Sequence, residues 1–426
     1  MGCRVAELIV SGGRRLSGSL SVPGAKNSIL PIMAACFLTD GECILHNSPV
    51  LSDVAVSAWI TERLGGRVLR EGSTLRVNAS GAQGTHIPPG AMGKMRSSIL
   101  FLGVLLAKLG NASLCAPGGC NLGPRPIDLH LQALTQMGAC FSYEGNRLSA
   151  SSPGGLHGAE LHLPFPSVGA TENILLAACT ARGETLLTGA AQEPEIADLA
   201  HFLNACGARI RINGDRISVV PVKRLHGAEY TVMPDRIAGA TYLCAAAATG
   251  GTVRLRNTEI EPLRPVLNVL ERGGCTVLTR GREVLLRAPE RLNGGGTVIT
   301  APYPGFPTDV QALTMAAFAG GRGNTVFSET VFPERFRHVP EMVRMGARIR
   351  VNGTRAEVCG ARLHGADVRA TDLRGGAALV VAALAAEDWV RICEFSHIER
   401  GYEDLPRDLA ALGAELEWEE KTENPA

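Results

Sequence analysis

One phrase recurs six times along this chain: an apolar, helix-like segment, a small-residue pair containing glycine, then two short alternating segments around a turn. The instances are Leu64-Gly65-Gly66-Arg67-Val68, Met137-Gly138-Ala139-Cys140-Phe141, Cys206-Gly207-Ala208-Arg209-Ile210, Gly273-Gly274-Cys275-Thr276-Val277, Met345-Gly346-Ala347-Arg348-Ile349 and Leu412-Gly413-Ala414-Glu415-Leu416. They mark a repeat of about seventy residues, longer than the common solenoid units. Residues 197–205 show the helical period that precedes each glycine. Gly207 then stops the helix, since only glycine readily takes the left-handed conformation there. A hairpin follows, with a turn at Asn213-Gly214-Asp215. Equivalent turns stand at Glu71-Gly72-Ser73, Glu144-Gly145-Asn146, Arg280-Gly281-Arg282 and Asn352-Gly353-Thr354.

Upstream of each such helix lies a strand, as at 42–47, 184–188 and 252–257, and a further helix. A strand-helix-strand-helix-hairpin unit repeated six times predicts an α/β protein with three repeats per domain. The first helices of the repeats, at 28–38, 169–181, 238–249 and 375–386, are apolar nearly all round. Such helices belong inside, with sheets outside them. The pattern alone is also compatible with the buried helices of a doubly wound sheet.

At 426 residues the chain exceeds one ordinary core, so two domains are expected. Its 42 Lys+Arg and 41 Asp+Glu leave a formal charge of +1. That balance argues against nucleic acid and membrane surfaces as partners. Any anion site must come from local clustering. The cysteines are scattered, with Cys36, Cys179 and Cys244 in apolar segments. Neither zinc spacing nor a disulfide framework is expected, which predicts a reducing cytoplasm. Met1-Gly2-Cys3-Arg4 opens no apolar signal core, and Ala6 stands where myristoylation wants Ser or Thr. The longest apolar run, 377–386, is too short to span a bilayer. No metal cluster and no dinucleotide fingerprint is visible, so no cofactor is expected.

Residues 115–126, Cys-Ala-Pro-Gly-Gly-Cys-Asn-Leu-Gly-Pro-Arg-Pro, cannot continue a helix or a central strand. They read as a surface loop of the kind that holds reactive groups. Cys120 sits among small neighbours with Arg125 five residues on. A nearby cation lowers a thiol's pKa and favours the reactive thiolate. The plain alternative is a small loop filler. Cys115 reads as the end of a strand.

Further phrases run the length of the chain. They are Ser21-Val22-Pro23-Gly24-Ala25-Lys26-Asn27, Lys94-Met95-Arg96-Ser97-Ser98, Pro117-Gly118-Gly119-Cys120, Arg125-Pro126-Ile127-Asp128-Leu129-His130, Pro166-Ser167-Val168-Gly169-Ala170-Thr171, Pro234-Asp235-Arg236-Ile237, Phe306-Pro307-Thr308-Asp309, Glu329-Thr330-Val331-Phe332, Arg335-Phe336, Ala370-Thr371-Asp372-Leu373-Arg374 and His397-Ile398-Glu399-Arg400-Gly401-Tyr402-Glu403. Together and in this order they resemble the enolpyruvyl transferase family, and within it the transferases acting on UDP-N-acetylglucosamine. The resemblance implies two inside-out α/β-barrel domains of three repeats each. Residues 26–233, with a mobile Cys120 loop, would form one; 1–25 with 234–426 would form the other, the active site lying in a cleft between them.

It further implies transfer of the enolpyruvyl group of phosphoenolpyruvate to the 3′-hydroxyl of UDP-N-acetylglucosamine, with release of phosphate, at the first committed step of peptidoglycan synthesis. Phosphoenolpyruvate carries a carboxylate and a phosphate, and arginine forks suit both. By motif, Lys26, Arg96, Cys120, Arg125, Arg335, Arg374 and Arg400 match the family's phosphoenolpyruvate positions. Asn27, Arg96, Arg125, Asp128, His130, Ser167, Val168, Gly169, Asp309 and Val331 match its nucleotide-sugar positions. Cys120, Asp309, Lys26 and Arg400 are implied to be catalytic: Cys120 as proton donor and target of fosfomycin, Asp309 as base near the 3′-hydroxyl. A single arginine is usually a solvated surface residue, but these stand beside Gly/Pro breaks or between apolar segments. Asp309 also reads as a helix cap, Ser167 as an N-cap whose helix could meet diphosphate, His130 as a satisfied core histidine and Arg236 as structural.

Two positions depart from the family. Phe165 stands where some relatives carry a lysine that reaches the diphosphate, and Glu334 puts a negative charge beside Arg335. Two alternatives stay open: the sister shikimate-pathway transferase, and a non-catalytic paralogue that binds the nucleotide sugar. Pro117–Cys120 and Ser167–Gly169 favour the nucleotide-sugar enzyme over the first, and retention of Lys26, Cys120, Asp309 and Arg400 weighs against the second.

Overall fold

A computed structural model describes residues 4–115 and 127–422. The six glycines that mark the repeat, Gly65, Gly138, Gly207, Gly274, Gly346 and Gly413, all have φ between 88° and 99°. Each ends a helix in a left-handed turn. The amide of the next residue reaches back to a carbonyl in the last helical turn, as from Ala208 to Leu203 O at 2.9 Å and from Ala414 to Leu409 O at 3.0 Å. This double reversal satisfies carbonyls that the helix leaves open.

A second cap comes from farther along the chain. Gly84 N donates to Leu64 O, His157 N to Met137 O, His226 N to Cys206 O, Asn293 N to Gly273 O and His364 N to Met345 O, all at 2.9 Å. For the sixth helix the donor is Ser17 N, at 2.8 Å from Leu412 O. The N-terminal segment therefore finishes the last repeat.

The main helices come in pairs, one pair to a repeat. They are α1 (Lys26–Ala35) and α2 (Ser52–Arg63), α3 (Leu100–Leu109) and α4 (Asp128–Gln136), α5 (Val168–Ala178) and α6 (Pro194–Ala205), α7 (Arg236–Ala248) and α8 (Ile260–Arg272), α9 (Thr308–Ala319) and α10 (Val339–Arg344), α11 (Leu373–Leu384) and α12 (Leu405–Ala411). The odd-numbered helices are buried along almost their whole length. The even-numbered ones are mixed, as in α8, where Leu263, Val266, Leu267 and Leu270 are buried and Glu261 and Glu271 are not. Apolar surface all round a helix forces this inside position.

Small sheets cover the inner helices, and each four-stranded one has a parallel pair followed by an antiparallel hairpin. One runs Glu160–His162, Thr185–Thr188, Arg216–Val220, Arg209–Asn213; another runs Ser17–Ser21, Thr252–Arg256, Glu283–Arg287, Thr276–Arg280. Their inward positions are apolar: Val253 and Leu255 are fully buried, while Thr252, Arg254 and Arg256 between them are exposed. In the sixth sheet the return strand of the hairpin is Arg4–Ser11, between Trp389–Cys393 and Glu415–Thr422. The alternative of a doubly wound sheet is thus set aside, and the inner helices are wrapped by separate sheets as expected. The C-terminal strand runs to Thr422, and Glu419 pairs with Glu7 in this sheet.

The described chain divides into two compact units. A central unit holds residues 24–115 and 127–233, with α1 to α6. A split unit holds 4–23 and 234–422, with α7 to α12. Each has its own apolar core.

Candidate active site

The inner helices start where the family motifs fall. Lys26 and Asn27 open α1, Arg96 opens a 3-10 turn (Arg96–Ile99) that runs into α3, and Val168 and Gly169 open α5. Arg236 opens α7, Thr308 and Asp309 open α9, and Leu373 and Arg374 open α11. The N-terminal end of a helix is positive and favours anions, so a cation there is unfavourable on its own. No acidic residue occupies the first turn of α1, α5, α7 or α11. Lys26, Arg236 and Arg374 thus stand at helix starts, and at α7 and α11 the carboxylates of Asp235 and Asp372 offset them.

In the split unit the placement is tight. Arg335 and Arg374 are 2% and 4% exposed. Arg335 donates to Asp309 Oδ1, and its Nε donates to Thr308 O at 3.3 Å. Arg374 reaches Asp309 Oδ2 at 3.6 Å and the Tyr402 hydroxyl at 3.4 Å. Burial works against the charge of Arg374, but Asp309, Tyr402 and Asp235 together hold its affinity for the proton above the ordinary value. Asp309 is therefore a carboxylate clamped by two buried guanidiniums. It is not a helix cap: α9 begins at Thr308 with Pro307 before it and no side-chain cap. Asp235 and Asp372 do cap, on α7 and α11.

Val331 belongs to the same cluster through Glu329. This glutamate, 1% exposed, accepts from Thr300 Oγ1 at 2.9 Å, Val331 N at 2.8 Å, Phe332 N at 2.9 Å and Thr308 Oγ1 at 3.0 Å. It ties the Val331 turn to the start of α9. The charge of Glu334 is taken up elsewhere, by Arg337 at 2.5 Å. Arg400 is half-buried at the end of the short helix Ser396–Glu399.

In the central unit, Lys26 is buried and its Nζ lies 2.7 Å from Asp53 Oδ2. His130 is 6% exposed and accepts at Nδ1 from Asn173 Nδ2, 3.0 Å away. Asn173 is itself fixed, donating to Ile99 O at 3.0 Å and accepting from Gly103 N at 2.9 Å. Burial, then the charge of Arg96, pulls the imidazole down to about 4, with Asp128 acting the other way. The ring is thus neutral near pH 7, with its proton on Nε2. It packs against Gly169, where an added Cβ would lie 3.1 Å from Cε1. His130 is a satisfied core histidine and a wall of the α5 N-terminus at once. Ser167 caps α5, accepting from Ala170 N at 3.4 Å. Asp128 and Phe165 are exposed.

Cys120 and Arg125 lie outside the described residues. Sequence reasoning overlooked Asp53, Asn173, Glu329 and Tyr402, each of which holds a motif residue. The signal for Glu329 was present in Glu329-Thr330-Val331-Phe332, but burial of its carboxylate was not readable. Among the described residues no cluster of His, Cys, Asp and Glu is arranged to hold a metal ion. No helix among them is long and apolar enough to cross a membrane.

Comparison with known proteins adds to this geometry. Residues 10–409 match the family model described as EPSP synthase (3-phosphoshikimate 1-carboxyvinyltransferase). UDP-N-acetylglucosamine 1-carboxyvinyltransferase of Acidiphilium cryptum is 46% identical over 96% of this chain and 98% of its own length. The protein of that name in Rhodospirillum centenum is 45% identical over 98% of this chain and 100% of its own. Among solved structures, the enolpyruvyl transferase NikO from Streptomyces tendae superposes with a TM-score of 0.89 at 25% identity, covering 98% of this chain and 100% of that one. EPSP synthase from Acinetobacter baumannii shares the fold, with a TM-score of 0.76 at 20% identity over 97% of this chain and 100% of that one.

Proposed function

Because the chain belongs to the EPSP synthase (3-phosphoshikimate 1-carboxyvinyltransferase) family, we propose that it transfers the enolpyruvyl group of phosphoenolpyruvate to the 3′-hydroxyl of UDP-N-acetylglucosamine, releasing phosphate. This is the first committed step of peptidoglycan synthesis. The observation that carries the reading is the clamp on Asp309 by Arg335 and Arg374, in a chain alike over nearly its whole length to transferases named for that sugar nucleotide.

In this reading Lys26, Arg96, Arg125, Arg335, Arg374 and Arg400 neutralise the phosphate and carboxylate of phosphoenolpyruvate and the charge that develops on it. Asn27, Asp128, His130, the Ser167-Val168-Gly169 segment and Val331 hold the nucleotide sugar. The helix amides of that segment suit its diphosphate. Asp309 takes the proton of the 3′-hydroxyl as the oxygen bonds to C2, and Cys120 delivers a proton to C3. The tetrahedral intermediate then loses phosphate from C2 and a proton from C3, restoring the double bond. A carboxylate with both oxygens in fixed ion pairs is oriented in advance, as a base must be.

Phosphate release from phosphoenolpyruvate tests the reading. Turnover is expected with UDP-N-acetylglucosamine and none with shikimate 3-phosphate. A folded sample inactive with the nucleotide sugar would refute it.

A further inference from the structure

Asp198, in α6, is 7% exposed, and its carboxylate accepts from three donors on two other segments of the central unit. Ser28 Oγ donates to Oδ2. Met233 N donates to the same oxygen at 3.2 Å. The Tyr230 hydroxyl donates to Oδ1 at 2.6 Å and lies 3.2 Å from the Asp198 carbonyl. Burying a carboxylate is costly unless its acceptors are filled. Here three donors fill them. Burial pushes the Asp198 carboxyl up, and the Ser28, Tyr230 and Met233 donors act against that.

Where the donors come from gives the network its meaning. The chain enters the central unit at Gly24 and leaves it after Met233. Ser28 sits in the first turn of α1, directly after Lys26 and Asn27. Met233 is the last residue of the outgoing segment, and Ala25 N donates to its carbonyl at 2.8 Å. That segment is held from its other side, where Asn47 Nδ2 donates to Val232 O at 2.9 Å. One carboxylate therefore braces the incoming turn and the outgoing segment against a third element, α6. A neutral apolar residue could fill the space but could not link them.

We propose that Asp198 is a positioning residue for the transfer reaction: through Ser28 it fixes the first turn of α1, and so the placement of Lys26 and Asn27, relative to the outgoing segment. The proposal rests on the reading of Lys26 and Asn27 as substrate contacts. Neither Asp198 nor Ser28 touches substrate in it.

The test uses the full chain, with phosphate release measured against each substrate and thermal unfolding followed in parallel. Ser28→Ala removes only the link to α1. It is expected to lower kcat/KM for phosphoenolpyruvate roughly tenfold or more, since small misplacements of a binding group are costly in rate, with little change in Tm. Asp198→Ala should lower both kcat/KM and Tm. Asp198→Asn can still accept from Ser28 and Met233 and donate to the Tyr230 hydroxyl, so it should recover most of the kcat/KM lost in Asp198→Ala. Tyr230→Phe should lower Tm with kcat/KM close to wild type. If Ser28→Ala keeps wild-type kinetics while Asp198→Ala only lowers Tm, Asp198 is a stabilising group alone and the proposal falls. If the wild-type chain releases no phosphate with UDP-N-acetylglucosamine, the functional reading falls and takes this proposal with it. The two failures are told apart by the wild-type assay.

Discussion

Lys26 illustrates what a single residue contributes and what it needs. Its ammonium is buried against Asp53. Breaking a buried pair by removing one partner costs about 3 kcal/mol or more. Asp53→Ala should therefore lower the denaturant midpoint markedly, and Asp53→Asn less. His130 makes the second residue-scale case. Its pKa is about 4 in the folded chain against an ordinary value of 6.5. Above pH 6.5 the ring is neutral folded or unfolded, so it adds no pH dependence. As pH falls towards 4 the unfolded chain takes the proton first, and stability drops by something on the order of 3 kcal/mol. His338, fully buried beside Asp372 and Arg335, is pulled down by burial too and adds in the same direction. His130→Gln should flatten the stability profile between pH 6.5 and 4 in urea titrations. Of these residues, Lys26 and His130 were legible in the sequence as motif members. Asp53 and Asn173 were not, because a buried polar partner is defined by where distant segments meet, and no local pattern records it.

At the scale of the element, the helix stop is the unit of design. Gly413 has φ 93° and open space around it, whereas Gly346, at φ 88°, has the His364 ring only 2.7 Å from where a Cβ would stand. Gly413→Ala should cost about 1–2 kcal/mol, the penalty of a left-handed L-residue. Gly346→Ala should cost more, because the ring must also move. Comparing the two unfolding midpoints separates backbone strain from packing. Repeat, helix stops and hairpins were all legible, since glycine spacing and alternation are local. The start of each inner helix was less so: α1, α5, α7 and α11 begin one or two residues before the apolar stretch suggests. Lys26 and Asn27 open α1, Arg236 opens α7 and Arg374 stands second in α11, and an apolar count drops such residues.

For the whole molecule, the two units differ in how the chain makes them. Every sheet of the central unit is closed by strands from within residues 24–233. A fragment 24–233 should therefore fold alone, with cooperative loss of helical circular dichroism on heating, while 234–426 without the first 23 residues should not. The even charge balance and the paired domains were readable from composition and length. The use of the N-terminus as the sixth return strand was not, because a lone strand of eight residues carries no mark of its partner. That strand has a consequence on the ribosome. Among the described strands Arg4–Ser11 comes first in chain order, and both neighbours it pairs with, Trp389–Cys393 and Glu415–Thr422, are among the last. During nearly all of translation Leu8 and Val10, fully buried in the finished protein, have no sheet to enter. The nascent chain thus carries an open β-edge past a central unit that is already complete. Unpaired edges are sticky, so slow elongation or a stall beyond residue 233 lengthens exposure of the very strand that closes the molecule.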